Sequence, residues 1–125
     1  IPFDNALIAA TPYWCVPPAE KCYDLLREIW AAAGLPPEFD GKTHGGFGLE
    51  AVCEINFGTK KTGNGALAPV AWQLGKIGDV IDYCLNDIRL TKQLFDAVLA
   101  GQTIINPKDK SMLVLRNPCA AAAPA

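Results

Sequence analysis

Three polar side chains near the middle of the chain have a spacing that suits metal chemistry. Asp79, Tyr83 and Asp87 recur at intervals of four residues, which places consecutive members on one face of a helix, about one turn apart. Carboxylates are the oxygen ligands that hard divalent cations prefer, and a phenol can hydrogen-bond a water beside them. The pattern has two interpretations. Asp87 ligates a metal and Tyr83 hydrogen-bonds the attacking water, or the three residues form an ordinary solvated helix face.

The residues around this set resemble those of a known family. Tyr83–Asp87 reads YCLND and is similar to the third motif, Y-x-x-x-D, of the tyrosine subclass (DEDDy) of the DEDD 3′→5′ exonucleases. Ile1–Asp4 reads IPFD and resembles the end of the second motif of that family, N-x-x-(F/Y)-D. Residues 48–53, 57–61, 63–65 and 72–75 are similar to the segment that precedes the third motif in this family. The resemblance thus extends over most of the chain.

The resemblance implies hydrolysis of nucleic-acid phosphodiesters by a two-metal mechanism, with two Mg²⁺ or Mn²⁺ ions roughly 4 Å apart among four carboxylates. Asp87 would ligate the metal that carries the nucleophilic water, and Tyr83 would orient that water. Asp4 would hold the second metal. Asp4, Tyr83 and Asp87 are therefore the expected catalytic residues, and Asp4 and Asp87 the expected metal ligands.

The expected substrate is the single-stranded 3′ end of a nucleic acid, and we favour DNA over RNA. Phe3 is expected to stack against the terminal base, because aromatic side chains bind single strands in this way. Its alternative role is core packing at a helix start. Lys60 and Lys61 lie in a glycine-bearing loop and are expected to contact backbone phosphate, with ordinary surface lysines as the alternative. A polymerase or other replication partner is left open.

The first motif of the family, D-x-E, would precede Asp4. The chain begins at Ile1 and its only methionine is Met112, so we expect it to be a piece of a longer protein. With two of four carboxylates, this chain alone is expected to have little or no nuclease activity. A different class of protein, a non-catalytic helical binding or assembly module, would keep the helices without the chemistry.

The complete domain is expected to have the α/β ribonuclease H-like fold. This chain would be its helix-rich C-terminal portion with a small terminal β-hairpin, in which residues 1–117 form a partial exonuclease-like domain and residues 118–125 an Ala-rich disordered tail. Apolar periodicity and stop signals predict the elements. The expected helices cover residues 3–10, 22–33, 49–57, 68–74 and 77–99, and the hairpin joins 103–105 to 112–115. An apolar stripe through Ile77, Ile81, Cys84, Ile88, Phe95 and Val98 is expected along the last helix.

Composition narrows the class of protein further. Half of the residues are apolar, which is typical of a globular chain. The net charge of −2 neither indicates nor excludes a nucleic-acid binder, because an enzyme that holds divalent cations among carboxylates can be acidic overall. Five cysteines without a CxxC pair argue against a zinc site and for a reducing, cytoplasmic compartment. Cys53 and Cys84 are expected in the core, and His44 on a loop surface. No run of residues is long and apolar enough to suggest a membrane partner.

Overall fold

The computed structural model describes residues 2–12, 15–59 and 67–119, and of residues 2–4 and 19 it describes the backbone only. This part of the chain is rich in helices and carries one small antiparallel sheet, as predicted. Its elements are α1 (Pro2–Ala9), a 3₁₀ turn (Ala19–Lys21), α2 (Leu25–Ala32), α3 (Leu49–Phe57), α4 (Ala68–Gln73), α5 (Ile77–Leu99), β1 (Ile104–Ile105) and β2 (Met112–Leu113). The predicted bounds of α3 and α5 are confirmed.

Helix α2 is shorter than predicted because Asp24 caps it. The backbone of Asp24 is extended, and its carboxylate accepts the amide N–H groups of Leu26 and Arg27 at 3.1 and 3.3 Å. These are donors that the first turn of a helix leaves without intrahelical partners. Gly34 ends the helix in the left-handed conformation at φ 79°. The predicted start at residue 22 is therefore wrong, and Asp24 is the N-cap.

The hydrophobic core lies between α2, α3, the C-terminal half of α5 and the hairpin. Ile29, Val52, Leu94 and Ile104 bring one nearly inaccessible side chain from each of these elements. Cys53 is also fully buried, and its thiol donates to the carbonyl oxygen of Leu90 at 3.7 Å, across the contact between α3 and α5. The prediction of Cys53 as a core residue is confirmed.

The two halves of α5 have different environments. The C-terminal half is packed, with buried side chains at Leu90, Leu94, Ala97 and Val98. The N-terminal half exposes a row of large apolar side chains, namely Ile77, Ile81, Leu85 and Ile88. The predicted stripe is thus buried only toward its C-terminal end, and the prediction of Cys84 as a core residue is wrong because this cysteine is exposed. We call Ile77, Ile81, Leu85 and Ile88 the open face of α5.

The hairpin is tied to α3 by one side chain. Ile104 pairs with Leu113 and Ile105 with Met112. The amide of Asn56 accepts from the backbone N–H of Ile105 at 2.8 Å and donates to its carbonyl oxygen at 3.1 Å. Asn56 therefore supplies the two hydrogen bonds that a further strand would have made at this residue.

His44 lies in the loop before α3, and its side chain is only 2% exposed. Its Nδ1 accepts from the backbone N–H of Asp40 at 3.1 Å, which leaves the ring proton on Nε2 to donate to the carbonyl oxygen of Pro36 at 2.8 Å. The ring also packs edge-on against Trp30, with centroids 4.6 Å apart. His44 therefore holds its loop together, and its prediction as a surface histidine is wrong.

Within the described ranges, no helix combines the length and apolar composition needed to cross a bilayer.

Candidate functional site

The N-terminal half of α5 is positioned by a tight turn after α4. Gly75 adopts φ 74°, and the backbone N–H of Lys76 returns to the carbonyl oxygen of Ala71 at 2.8 Å. This glycine-dependent ending reverses the chain so that α4 packs against α5. The polar residues predicted to do chemistry lie on the first half of α5, next to this turn.

Tyr83 and Asp87 are brought together by helical geometry, and both are partly buried. Partial burial raises the pKa of the Tyr83 phenol, as do the negative charge of Asp87 and a hydrogen bond from the phenol to that carboxylate. Each cause favours the protonated phenol over the phenolate. A neutral phenol that donates to a carboxylate keeps its oxygen lone pairs, with which it can accept a hydrogen bond from a water.

Glu50 is a further acid beside this pair. It lies in the first turn of α3, which packs against α5, and its negative charge also contributes to the raised pKa of Tyr83. The sequence indicates only that Glu50 is a first-turn acid of the kind that helix dipoles favour. Its proximity to Tyr83 follows from the packing of two helices that lie far apart in the sequence, which no local pattern reveals.

The structure describes only some of the other predicted site residues. Asp4 and Phe3 belong to α1, but their side chains lie outside the described part of the chain. Lys60 and Lys61 fall in the segment 60–66, which is also outside it. Asp79 is exposed and stands two turns before Asp87 on α5. Of the predicted catalytic residues, the structure brings together Tyr83 and Asp87.

A two-ion site needs several oxygen ligands around its cations. Asp87 and Glu50 offer the oxygen chemistry that Mg²⁺ and Mn²⁺ prefer. Among the side chains that the structure describes, however, no group of three or more His, Cys, Asp or Glu residues could hold a metal ion. The described residues therefore do not form a two-ion site by themselves.

A groove of about 620 Å³ runs between α4 and α5 and shares Tyr83 with the site. The α4 side is apolar and includes Leu67, Val70 and Leu74. The α5 side is polar or charged and includes Lys76, Asp79, Asp82, Asn86 and Arg89. We call this feature the α4–α5 groove. Its volume is in the range of small-molecule sites.

Comparison with known proteins gave no significant match to any family model, to any curated protein or to any solved structure.

Proposed function

We propose that this chain is the helix-rich C-terminal portion of a metal-dependent 3′→5′ exonuclease domain with the α/β ribonuclease H-like fold. The observation that carries the proposal is the pairing of the Tyr83 phenol with the Asp87 carboxylate, with Glu50 beside them. The Y-x-x-x-D spacing alone would only align the two side chains. The influence of the Asp87 carboxylate on the pKa of the Tyr83 phenol supports a direct pairing of the two side chains.

The open face of α5 supports the idea that a further layer belongs to this fold. Ile77, Ile81, Leu85 and Ile88 are between 41% and 63% exposed. Apolar helix faces of this length are normally buried against a sheet or against other helices. The sheet of a ribonuclease H-like domain would supply such a cover, and its first strand would supply the D-x-E motif.

In the proposed site, Tyr83 is a neutral phenol that would orient the nucleophilic water: its O–H would donate a hydrogen bond to Asp87 and its oxygen would accept one from the water. Asp87 has the oxygen chemistry for a metal ligand, and Asp4 would complete the set together with the D-x-E carboxylates. Mg²⁺ or Mn²⁺, when bound, would lower the pKa of the water and stabilise charge on the phosphate. Glu50 would keep the phenol protonated through its negative charge.

The proposed substrate is a single-stranded 3′ end, with DNA favoured over RNA. Lys60 and Lys61 are proposed to contact phosphate, and Phe3 to stack on the terminal base. The five cysteines are free, which suits a reducing, cytoplasmic compartment.

The test uses labelled single-stranded DNA with Mg²⁺ or Mn²⁺. We expect little 3′ trimming by the 125-residue chain and clear trimming by a chain that also carries the residues encoded upstream. In the longer chain, Asp87→Ala should abolish trimming and Tyr83→Phe should reduce it. Gln93→Ala, an exposed position further along α5, is the matched control. Trimming that survives Asp87→Ala would overturn the proposal, and trimming by the 125-residue chain that depends on Asp87 would show that its site is already complete.

A non-catalytic binding or assembly module is the second candidate. The open face of α5 favours it equally, because a partner helix could cover the same four side chains. The upstream residues separate the two functions: a strand pattern with D-x-E supports the enzyme, and its absence supports the module.

A further inference from the structure

The two walls of the α4–α5 groove have opposite chemistry. On the α4 wall, Leu67, Val70 and Leu74 are 60%, 49% and 65% exposed, so apolar surface is available there. Isolated exposed side chains of this kind are ordinary, but three along one wall of a groove make a continuous apolar surface. A ligand that fits this wall must present an apolar face.

The α5 wall offers a row of hydrogen-bonding groups. Asp82, Asn86 and Arg89 are spaced by four and three residues, so they follow one another along the same side of the helix. The carboxylate of Asp82 only accepts, the guanidinium of Arg89 only donates, and the amide of Asn86 does both. A ligand that fits this wall must carry donors and acceptors side by side along one edge.

The charges of the groove are balanced. Lys76 and Arg89 bring two positive charges, and Asp79 and Asp82 bring two negative charges. A lone phosphate would meet two carboxylates here, and a hydrocarbon chain would leave the charged wall without partners. The ligand chemistry that satisfies both walls is a flat, uncharged ring with apolar faces and a polar edge, which describes a nucleobase.

We propose that the α4–α5 groove is a nucleobase-binding subsite. Tyr83 lines the groove and stands one helical turn before Asp87 on α5, so a base held in the groove would have its sugar and phosphate near that pair. This placement rests on the proposed function, because it makes the occupant the nucleotide at or next to the 3′ end. The binding of a base by the two walls does not depend on catalysis.

The test measures binding and not hydrolysis. Deoxyadenosine, deoxyguanosine, deoxycytidine and thymidine, which lack phosphate, are titrated separately onto the ¹⁵N-labelled 125-residue chain and followed by NMR chemical shifts. We expect shift changes at residues of the α4–α5 groove for at least one nucleoside. Deoxyribose 5-phosphate, which lacks the base, should leave the same resonances unchanged.

Two variants probe the walls separately. Asn86→Ala removes the side-chain amide, which both donates and accepts hydrogen bonds on the α5 wall. Leu74→Gln places a polar amide in the apolar α4 wall. Each should weaken nucleoside binding by about fivefold or more, the equivalent of one net hydrogen bond or a comparable apolar contact. Leu74 is exposed, so its replacement tests the apolar wall without removing core packing. Gln93→Ala should bind as the unchanged chain does.

Every outcome bears on one proposal or the other. Binding of deoxyribose 5-phosphate in place of nucleosides, nucleoside shifts confined to another surface, or the absence of nucleoside shifts would overturn the nucleobase subsite. Asp87→Ala should leave nucleoside binding intact while it abolishes trimming by the longer chain. If nucleosides bind but no chain trims DNA, the exonuclease proposal fails and the subsite stands. If trimming depends on Asp87 but no nucleoside binds, the nucleobase subsite fails and the exonuclease proposal stands.

Discussion

Tyr83 and Asp87 stand one helical turn apart on α5, and the Asp87 carboxylate raises the pKa of the Tyr83 phenol through its negative charge and as a hydrogen-bond acceptor. The pair lies on the half of α5 that the core does not cover, beside Glu50 of α3 and at the edge of the α4–α5 groove. Four kinds of measurement would test this arrangement and the packing that supports it.

The Tyr83–Asp87 contact predicts a pH dependence at high pH. The pKa of Tyr83 in the folded chain is above its ordinary value of 10.0, so the phenol loses its proton more readily in the unfolded chain. The contribution of the protonated Tyr83 phenol to the free energy of unfolding is therefore complete below pH 10. It is lost as the pH rises through the pKa of Tyr83 in the folded chain. We expect Asp87→Asn to lower the Tyr83 pKa, as measured by NMR titration of the phenol carbon. Asp96→Asn, on the same helix, should leave it unchanged, and an unaltered titration in Asp87→Asn would contradict the contact.

Cys53 is expected to be the slowest thiol to alkylate. Burial raises its pKa from 9.0 to about 11, which leaves about 100-fold less thiolate at pH 8 than an unshifted thiol would have. Burial also blocks access by the reagent. Timed reaction with iodoacetamide and mass spectrometry should show Cys15, Cys84 and Cys119, which are exposed, modified well before Cys53. Equal rates for Cys53 and Cys84 would show that the α3–α5 contact is loose.

His44→Ala is expected to lower the free energy of unfolding by about 2–4 kcal/mol. The substitution removes the packing against Trp30 and leaves the carbonyl of Pro36 and the amide of Asp40 without their imidazole partners. Urea denaturation followed by tryptophan fluorescence measures the change. Lys42→Ala, an exposed position in the same loop, should change stability by less than about 0.5 kcal/mol. Similar losses for the two variants would show that the imidazole of His44 does not stabilise its loop.

Asn56→Ala should destabilise the chain by about 1–3 kcal/mol, because it leaves both backbone groups of Ile105 without the amide that pairs with them. Hydrogen exchange of the Ile105 amide should accelerate more than exchange at Leu94, in the core of α5. Glu54→Ala, an exposed position on the same helix, provides the control. If Ile105 stays protected in Asn56→Ala, the hairpin does not depend on this side chain.

The sequence by itself determined the elements whose signals are local. Apolar periodicity and the glycine after each helix predict α3 and α5 with their observed bounds, and Gly58 and Gly101 adopt the positive φ that such endings require. The interval between Tyr83 and Asp87 predicts their alignment for the same reason, since one helical turn sets the distance between them.

Only the tertiary structure decided which faces are covered. Apolar spacing gives the same signal for Ile81, which is exposed, and for Val98, which is buried, because coverage depends on the elements packed against each half of α5. His44 is buried because its loop folds the imidazole ring against Trp30 of α2. Glu50 reached Tyr83, and the α4–α5 groove formed, through the packing of helices against one another. These contacts join residues that are distant in sequence, and periodicity within one element carries no information about its neighbours.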